Sequence, residues 1–367
     1  MVQRAMDATP LPLEAAVAAL DSEGMFGYVA GFVDDLDAAL SSIDEGAMPW
    51  LSSIRAQPWS GLLCLGMGGS GAGGAFLASL AAHEGSTPVV AHSDARLPAW
   101  ADERWLVMAT SYSGNTAETL AAVRAALDRG MTVLVLSSGG ELAGMAETNE
   151  RMHLIGVPSG QPPRSAFGHL FGRQLAVVRS LGLLPNDGSD DEAMLARLRA
   201  ASIGHDPRAT PSGGVDDLAM ELLERPVALL GPTELAPVLT RFKNQLNENA
   251  GRFARIGVVP EMNHNEVVAW GGPGWFSDPF SDTQAVLVLA WPNMQTEVKA
   301  RIDWGVQHLR TQAAWVLQGE GASLLEVMLH HCVVMDWISV TLAVRGGKNP
   351  TSIGPIDGLK EHLARRQ

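Results

Sequence analysis

Short apolar runs alternate with amphipathic stretches over most of the chain. From Gly61 onward, runs such as GLLCL and TVLVL are typical of buried strands, and the stretches between them have the apolar spacing of helices. This alternation predicts an α/β fold in which parallel strands are covered by helices on both faces. The pattern occurs twice, before and after residues 205–214, HDPRATPSGG, whose composition is typical of a linker.

The pattern divides the chain into five parts. They are an N-terminal helical segment, a first domain, a linker, a second domain and a C-terminal tail, at residues 1–50, 51–204, 205–214, 215–346 and 347–367. We expect each domain to be a doubly wound parallel sheet. Ligand sites in such sheets lie at the carboxyl ends of the strands.

Composition and net charge bear on the class of partner that the chain could bind. The chain has 367 residues, of which 46% are hydrophobic, enough for the cores of two domains. Its net charge of −14 and its lack of basic runs argue against nucleic acid, whose phosphates require clustered Lys and Arg. An anionic small molecule is still compatible with this charge where positive groups converge locally.

Several features are typical of a cytoplasmic protein. Cys64 and Cys332 lie in apolar runs without metal-type or redox-type spacing, so we interpret both as core thiols in a reducing compartment. Acidic residues near the N-terminus argue against a signal peptide, and no apolar run approaches the roughly 18 residues of a membrane span. We therefore expect a cytoplasmic protein without a membrane partner.

Two turns between a strand and a helix are candidates for anion binding. The first, Gly66–Gly71, reads G-x-G-x-x-G and, with Asp94 at the end of the next strand, also fits a dinucleotide site. The second, Thr110–Thr116, is rich in hydroxyl groups, which suits phosphate oxygens better than a nicotinamide. Ordinary helix capping is the alternative explanation for these hydroxyl groups.

A polar stretch, Lys243–Glu266, contains two residues suited to proton transfer. Glu248 lies near the end of a predicted helix, and His264 follows a short predicted strand among acids and amides. Because polar side chains replace the expected apolar stripe here, we expect this stretch to line a pocket.

Five motifs along the chain carry a resemblance to a known family. In order, they are GMGGSGAGG at 66–74, SYSGNTAET at 111–119, PPRSA at 162–166, NQLNENA at 244–250 and PEMNHNE at 260–266. The set resembles the bifunctional phosphoglucose/phosphomannose isomerase family, whose members have two flavodoxin-like sugar isomerase (SIS) domains. The resemblance covers the chain from about residue 60 to its end.

The resemblance implies roles for the residues of the two turns and for Glu248. The phosphate of the substrate would be bound by residues of the two turns, namely Gly69, Ser70, Ser111, Ser113 and Thr116. Glu248 would be the base that moves a proton between C1 and C2 of the sugar through a cis-enediol(ate). A pKa raised by burial suits a carboxylate to that task.

The remaining catalytic roles are also implied by the resemblance. His264 would assist ring opening in the active site of a neighbouring subunit, which implies a homodimer, and Arg164 would stabilise the enediolate charge. Lys360, preferred to Lys348, would assist ring opening, and Thr351 would leave room for either C2 epimer. A packing or surface histidine, a surface ion pair and a solvated lysine are the structural alternatives for His264, Arg164 and Lys360.

The sequence thus predicts an isomerase without a metal or cofactor. Its reaction would interconvert glucose 6-phosphate, mannose 6-phosphate or both with fructose 6-phosphate. Adjacent His330 and His331 project about 100° apart on a helix, so we interpret them as packing residues rather than metal ligands. A catalytically silent SIS-type sugar-phosphate sensor and an NAD-dependent oxidoreductase are the alternatives.

Overall fold

Two parallel sheets form the framework of the molecule. The computed structural model describes residues 11–185, 190–209, 214–272 and 274–365. The first sheet contains Gly61–Leu65 (β1), Val89–His92 (β2), Trp105–Thr110 (β3), Val133–Ser137 (β4) and Met152–Gly156 (β5). The second contains Val227–Pro232 (β6), Ala254–Val259 (β7), Ala285–Ala290 (β8) and Ala313–Gln318 (β9).

Both sheets share one topology. The strand order is β2-β1-β3-β4-β5 in the first sheet and β7-β6-β8-β9 in the second, and the pairs are parallel. In each sheet the chain runs first to one side of its opening strand and then to the other, which is the flavodoxin-like order. The predicted pair of doubly wound parallel sheets is therefore confirmed.

Helices connect the strands and cover the sheets. Before the first sheet lie Leu13–Leu20 (α1), Met25–Ala30 (α2), Phe32–Leu40 (α3) and Trp50–Arg55 (α4). Within and after it come Gly68–Glu84 (α5), Ala117–Asp128 (α6), Gly140–Thr148 (α7), Phe167–Ser180 (α8) and Asp191–His205 (α9). The second half contains Val215–Leu222 (α10), Ala236–Gln245 (α11), Val267–Trp270 (α12), Thr296–His308 (α13), Leu324–Arg345 (α14) and Gly354–Ala364 (α15).

One apolar layer lies between the two sheets. In β3, Leu106 and Met108 belong to this layer, whereas Val107 and Ala109 face a separate cluster on the opposite side. Leu229 of β6 joins the same layer as Leu106 and Met108. Since successive side chains of a strand point to opposite faces, each sheet turns one face toward its partner sheet. The two halves of the chain therefore share a core.

The helix α14 is the central element of this layer. It is long and apolar enough to cross a membrane by length and composition, with a mean hydropathy of 1.6, yet its whole apolar window is buried within the molecule. Burial lowers the pKa of His331 on this helix to about 3, and its Nε2 lies 3.2 Å from the carbonyl oxygen of Ala290. This histidine packs in the core, as predicted.

A buried ion pair links α11 to α14. Arg241 donates hydrogen bonds of 2.7 and 2.8 Å to the two carboxylate oxygens of Asp336, and Gln245 donates another of 2.8 Å. The guanidinium also lies over the ring of Phe167 on α8, 4.5 Å from its centroid. Both charged side chains are only 5% exposed. The pair thus fixes the position of the helix that leads to Glu248.

The boundaries of the five predicted parts of the chain remain a proposal. The predicted linker includes residues 210–213, which lie outside the described part of the chain. The preceding helix α9, which we assigned to the first domain, packs against α14 of the second. The N-terminal helix α3 packs along α8, where the rings of Phe32 and Phe167 stack 6.2 Å apart.

Replacing Asp336 by alanine is expected to lower the free energy of unfolding by about 3–5 kcal/mol, because Arg241 would stay buried without a counterion. Urea denaturation followed by tryptophan fluorescence measures the loss. Asp357→Ala, at a carboxylate whose side chain is 57% exposed, is the matched control and should change stability by less than about 0.5 kcal/mol. Equal effects of the two substitutions would contradict a structural role of the pair.

Candidate functional site

The glycine-rich loop connects β1 to α5 at the carboxyl edge of the first sheet. No side chain caps the amino end of α5, which leaves the N–H groups and the positive end of this 17-residue helix directed at the edge. Ser70 lies in the first turn and is 8% exposed. Its Oγ accepts a hydrogen bond of 3.2 Å from the N–H of Tyr112, which belongs to the second turn. The two turns are therefore in direct contact.

The second turn connects β3 to α6. The hydroxyl oxygens of Ser111 and Thr116 lie 2.9 Å apart, with Ser111 buried, whereas Ser113 is exposed. The turn requires Gly114, whose φ is +71°, because a Cβ there would lie 1.8 Å from the carbonyl oxygen of Gly139. The hydroxyl groups predicted to bind phosphate thus lie on two adjacent turns.

Arg164 lies beside the glycine-rich loop. Its Cα would be 3.1 Å from a Cβ built on Gly69, so a residue with a side chain at 69 would push the two segments apart. The side chain of Arg164 is buried, with 4% exposed. The absence of a Cβ at Gly69 therefore allows the backbone at Arg164 to pack closely against the glycine-rich loop.

The guanidinium of Arg164 joins three segments of the chain. Its Nε donates to Oδ1 of Asn249 at 2.6 Å, and its Nη2 donates to the carbonyl oxygens of Pro350 and Thr351 at 2.7 and 3.0 Å. The remaining nitrogen, Nη1, lies 3.6 Å from Oε2 of Glu248. The structure thus brings Arg164, Glu248 and Thr351 together.

Glu248 lies in a π-helical turn, Leu246–Ala250, that follows α11. Its side chain is 25% exposed. Burial raises the pKa of Glu248 above its ordinary value, although the positive charges of Arg164, Lys348 and Lys360 oppose the shift. A carboxylate with a raised pKa beside a fixed cation is suited to accept a proton and to return it.

Lys348 anchors the C-terminal tail to the segment that carries Glu248. Its Nζ lies 2.8 to 3.1 Å from four carbonyl oxygens, those of Glu248, Asn249, Asn349 and Ser352. Burial lowers the pKa of Lys348, and Arg164 adds to this shift while Glu248 opposes it. Because the ammonium group has three N–H bonds, these carbonyl oxygens satisfy it fully.

Lys360 has a different environment. Its side chain is 71% exposed, and its Nζ lies 3.9 Å from a carboxylate oxygen of Asp357 one turn earlier on α15. Its charge nevertheless lowers the pKa of Glu248, so the ammonium group lies on the same side of the molecule as the site. Lys360 is thus the lysine whose N–H groups are available to a ligand.

Sequence reasoning missed Asn249 and the unsatisfied hydroxyl of Thr351. Asn249 accepts from Arg164 and donates to Oγ of Ser339 at 2.9 Å, which connects the site to the buried helix α14. The Oγ1 atom of Thr351 is buried and has no hydrogen-bond partner in the described structure. A buried hydroxyl without a partner beside Arg164 is a candidate contact for a bound molecule.

His264 lies at the opposite end of β7 from Glu248. It is exposed and ends a 3₁₀ turn, Glu261–His264, and the next helix, α12, begins at Val267. The six residues of β7 separate the two ends by roughly 20 Å. His264 therefore does not join Glu248 within one chain.

The acidic neighbours of His264 have other partners. Glu261 accepts a hydrogen bond of 2.9 Å from Asn265. Glu266 forms an ion pair with Arg255 and accepts a hydrogen bond of 3.0 Å from Nε1 of Trp270. Both carboxylates thus stabilise the loop after β7. Their described partners do not include His264, whose side chain is exposed.

The structure gives little support to a dinucleotide site formed by the glycine-rich loop and Asp94. Asp94 follows β2 and is exposed, and its Oδ1 accepts a hydrogen bond of 3.0 Å from the backbone of Arg96. The sheet order also differs from the 3-2-1-4-5-6 order of dinucleotide-binding domains.

Comparison with known proteins places the chain in a family. Residues 215–363 match the bacterial phospho-glucose isomerase C-terminal SIS domain. A bifunctional phosphoglucose/phosphomannose isomerase of Aquifex aeolicus is 30% identical over 83% of this chain and 91% of its own. The chain belongs to this family. It is a phosphosugar isomerase.

Two further comparisons agree with this family. A bifunctional phosphoglucose/phosphomannose isomerase of Caldicellulosiruptor bescii is 30% identical over 85% of this chain and 92% of its own. The crystal structure of tagatose-6-phosphate ketose/aldose isomerase from Escherichia coli superposes with a TM-score of 0.71 at 14% identity, over 94% and 98% of the two chains. The structural likeness concerns the fold alone. The predicted SIS architecture is thereby confirmed.

Replacing Glu248 by glutamine is expected to stabilise the protein increasingly as the pH rises. Because burial raises the pKa of Glu248 above 4.5, the folded chain holds this proton more tightly than the unfolded chain. The contribution of the carboxyl group to stability is therefore complete below about pH 4.5 and is lost as the pH rises through the folded pKa. Denaturation of both proteins at pH 4, 6 and 8 measures the difference.

Glu361→Gln, at a side chain that is 71% exposed, is the control and should show no comparable trend. A difference between Glu248→Gln and the unmodified protein that does not change with pH would contradict the raised pKa.

Proposed function

We propose that this enzyme interconverts glucose 6-phosphate and mannose 6-phosphate with fructose 6-phosphate by proton transfer through a cis-enediol(ate). The observation that carries the proposal is the position of Glu248, whose pKa is raised, 3.6 Å from the buried guanidinium of Arg164. In such a pair the carboxylate can accept the C–H proton, and the guanidinium can stabilise the oxygen that becomes negative.

The phosphate group would bind where the two turns meet. The hydroxyl groups of Ser70, Ser111, Ser113 and Thr116, together with the backbone at Gly69, surround the amino ends of α5 and α6. Their N–H groups and helix dipoles favour an anion, although the net charge of the protein is −14. Binding the phosphate there would leave the other end of the open sugar to extend toward Arg164.

The proton transfer would then be carried by two side chains. The carboxylate of Glu248 would take the proton from C2 of the open-chain aldose, and the electron pair would form the C1–C2 double bond and leave negative charge on O1. Arg164 would stabilise this oxygen through Nη1, since Nε and Nη2 are bound by Asn249 and the tail. Transfer of the hydroxyl proton from O2 to O1 would move the negative charge to O2, and return of the first proton from Glu248 to C1 would then form the C2 carbonyl of the ketose.

Ring opening and epimer choice would involve residues around this pair. Lys360 is our candidate for ring opening, because Nζ of Lys348 is already occupied by carbonyl oxygens. The exposed imidazole of His264 would assist in the site of a second subunit, since β7 separates it from Glu248 in its own chain. The unpaired hydroxyl of Thr351 would contact the sugar near C2.

The two alternative functions explain fewer of these residues. A silent sugar-phosphate sensor would need the two turns but would have no use for a carboxylate with a raised pKa beside Arg164. An oxidoreductase would use the glycine-rich loop and leave the same pair unexplained. We propose the cytoplasm as the location, in keeping with two buried free cysteines.

Incubation of the purified protein with fructose 6-phosphate and EDTA is expected to yield both glucose 6-phosphate and mannose 6-phosphate. Side chains alone carry the proposed proton transfer, so chelation should leave the rate unchanged. Each aldose is assayed separately after the reaction is stopped. Formation of neither aldose, while phosphosugar still raises Tm, would favour the sensor; an NAD-dependent absorbance change would favour the oxidoreductase.

Mixing two inactive variants is expected to restore activity if sites are shared between subunits. Glu248→Gln should lower kcat about 10²–10⁴-fold while phosphosugar still raises Tm, because only the base is lost. When equal amounts of the Glu248→Gln and His264→Ala proteins are refolded together, half of the dimers would contain one subunit of each kind. Each of these mixed dimers would have one intact site. Activity should therefore recover to roughly a quarter of that of the unmodified enzyme. The control is Glu248→Gln refolded alone, and recovery no greater than in that control would show that His264 acts in its own chain or not at all.

A further inference from the structure

The N-terminal helix α3 lies at backbone contact distance from the start of α8. A Cβ at Gly168 would lie 2.6 Å from the carbonyl oxygen of Phe32, and a Cβ at Gly172 would lie 2.6 Å from Cβ of Ala39. The two glycines are one turn apart on the same face of α8, so α3 occupies the space that side chains would otherwise fill. Close packing of this kind makes α3 a rigid support for residues 160–166, the segment before α8 that carries Arg164.

Asp35 of α3 has partners on both sides of Arg164 in the sequence. Its Oδ2 accepts a hydrogen bond of 2.8 Å from Nε2 of Gln161, which precedes Arg164 by three residues. Its Oδ1 lies 3.2 Å from Nε2 of His169 on α8. The side chains of Asp35 and His169 are only 18% and 11% exposed, so water competes little for these contacts. A carboxylate of the N-terminal segment thus contacts the chain before and after Arg164.

Two tyrosines hold the same segment. The hydroxyl of Tyr28 on α2 donates a hydrogen bond of 3.1 Å to the carbonyl oxygen of Gly160. The N–H of Gln161 donates one of 3.1 Å to the hydroxyl oxygen of Tyr112, a buried residue of the second turn. Gln161 therefore connects three parts of the molecule: the N-terminal helices, the second turn and the segment that carries Arg164.

The connection from Gln161 to Arg164 is stiff. Pro162 and Pro163 link the two residues, and the ring of each proline fixes its φ angle. The carbonyl oxygen of Pro162 accepts hydrogen bonds of 2.9 Å from both the N–H and the hydroxyl of Ser165, which closes the turn around Arg164. A shift of Gln161 would therefore be carried to Arg164 rather than absorbed between them.

We propose that Asp35 is a positioning residue for the isomerisation, because it fixes Gln161 and thereby the place of the Arg164 guanidinium. This role rests on the proposed function, in which Nη1 of Arg164 stabilises the negative oxygen while Glu248 moves the proton. Nη1 and Oε2 of Glu248 lie 3.6 Å apart, and a misplacement of about 1 Å between reacting groups can cost about 10²-fold in rate. The N-terminal helices thus act on the reaction without touching the sugar.

Replacing Gln161 by glutamate tests the positioning. Two carboxylates would then face each other across the 2.8 Å contact with Asp35, and their repulsion would displace the segment. We expect kcat to fall about 10- to 100-fold, while KM for fructose 6-phosphate changes less than about threefold because the two turns keep their residues. Gln161→Ala, which breaks the bond without adding a charge, should lower kcat about tenfold and serves if the glutamate variant does not fold.

Exchange of the two groups should restore the rate. In a protein with both Asp35→Asn and Gln161→Glu, the new amide would donate to the new carboxylate, and its oxygen would still face Nε2 of His169. We expect kcat to return to within about threefold of that of the unmodified enzyme. The matched control pair is Asp34→Ala and Asp35→Ala. Asp34 lies on the same helix, is 73% exposed and pairs with Arg199, so its loss should change kcat less than about twofold, against about tenfold for Asp35→Ala.

A second cycle asks whether the effect passes through Arg164. In a protein that already carries Arg164→Met, Gln161→Glu should lower kcat by less than about twofold more, because the group that it displaces is gone. A full further loss in that background would overturn the proposal. So would an exchange variant as slow as Gln161→Glu, or a raised KM at unchanged kcat, which would assign the segment to phosphate binding.

The same variants separate this proposal from the proposed function. A normal kcat in Gln161→Glu beside a low kcat in Arg164→Met would reject the positioning and leave the role of Arg164 intact. An unchanged kcat in Arg164→Met would reject that role itself, and the positioning with it.

Discussion

The buried guanidinium of Arg164 is the interaction on which the site depends. It lies in the first half of the chain, yet it binds Asn249 from the second half and two carbonyl oxygens of the tail. A buried guanidinium requires partners for its donors, and these partners come from two distant segments, residues 248–249 and 350–351. The position of Glu248 is thus coupled to the packing of the two sheets against each other.

That packing is set by the shared apolar layer and by α14 within it. This helix binds Arg241 through Asp336, and Ser339, one turn further along, binds Asn249. One side of α14 therefore orients both the helix before Glu248 and the residue after it. Since the layer contains side chains of both sheets, a change in the core would be transmitted to the site through these two contacts.

The sequence was sufficient for the architecture, and it singled out Arg164 and Glu248, whose Nη1 and Oε2 atoms lie 3.6 Å apart in the structure. Hydrophobic periodicity predicted both sheets, and the ordered motifs contain both Arg164 and Glu248, which lie 84 positions apart in the sequence. It did not predict the π-helical turn that holds Glu248, because that hydrogen-bonding pattern has no compositional signature. Nor did it predict the role of Lys348, whose partners are backbone carbonyl oxygens brought together only by folding.

The anchoring of the tail by Lys348 has a consequence for synthesis of the chain. Lys348 and Thr351 follow both sheets in the sequence, so the segment that closes around Arg164 is synthesised after the described strands. Until then the guanidinium has no carbonyl oxygens from the tail to bind. Completion of the contacts around Arg164 is therefore a late event in the life of each molecule, and a nascent chain would form the two turns of the first sheet before Arg164 has all of its partners.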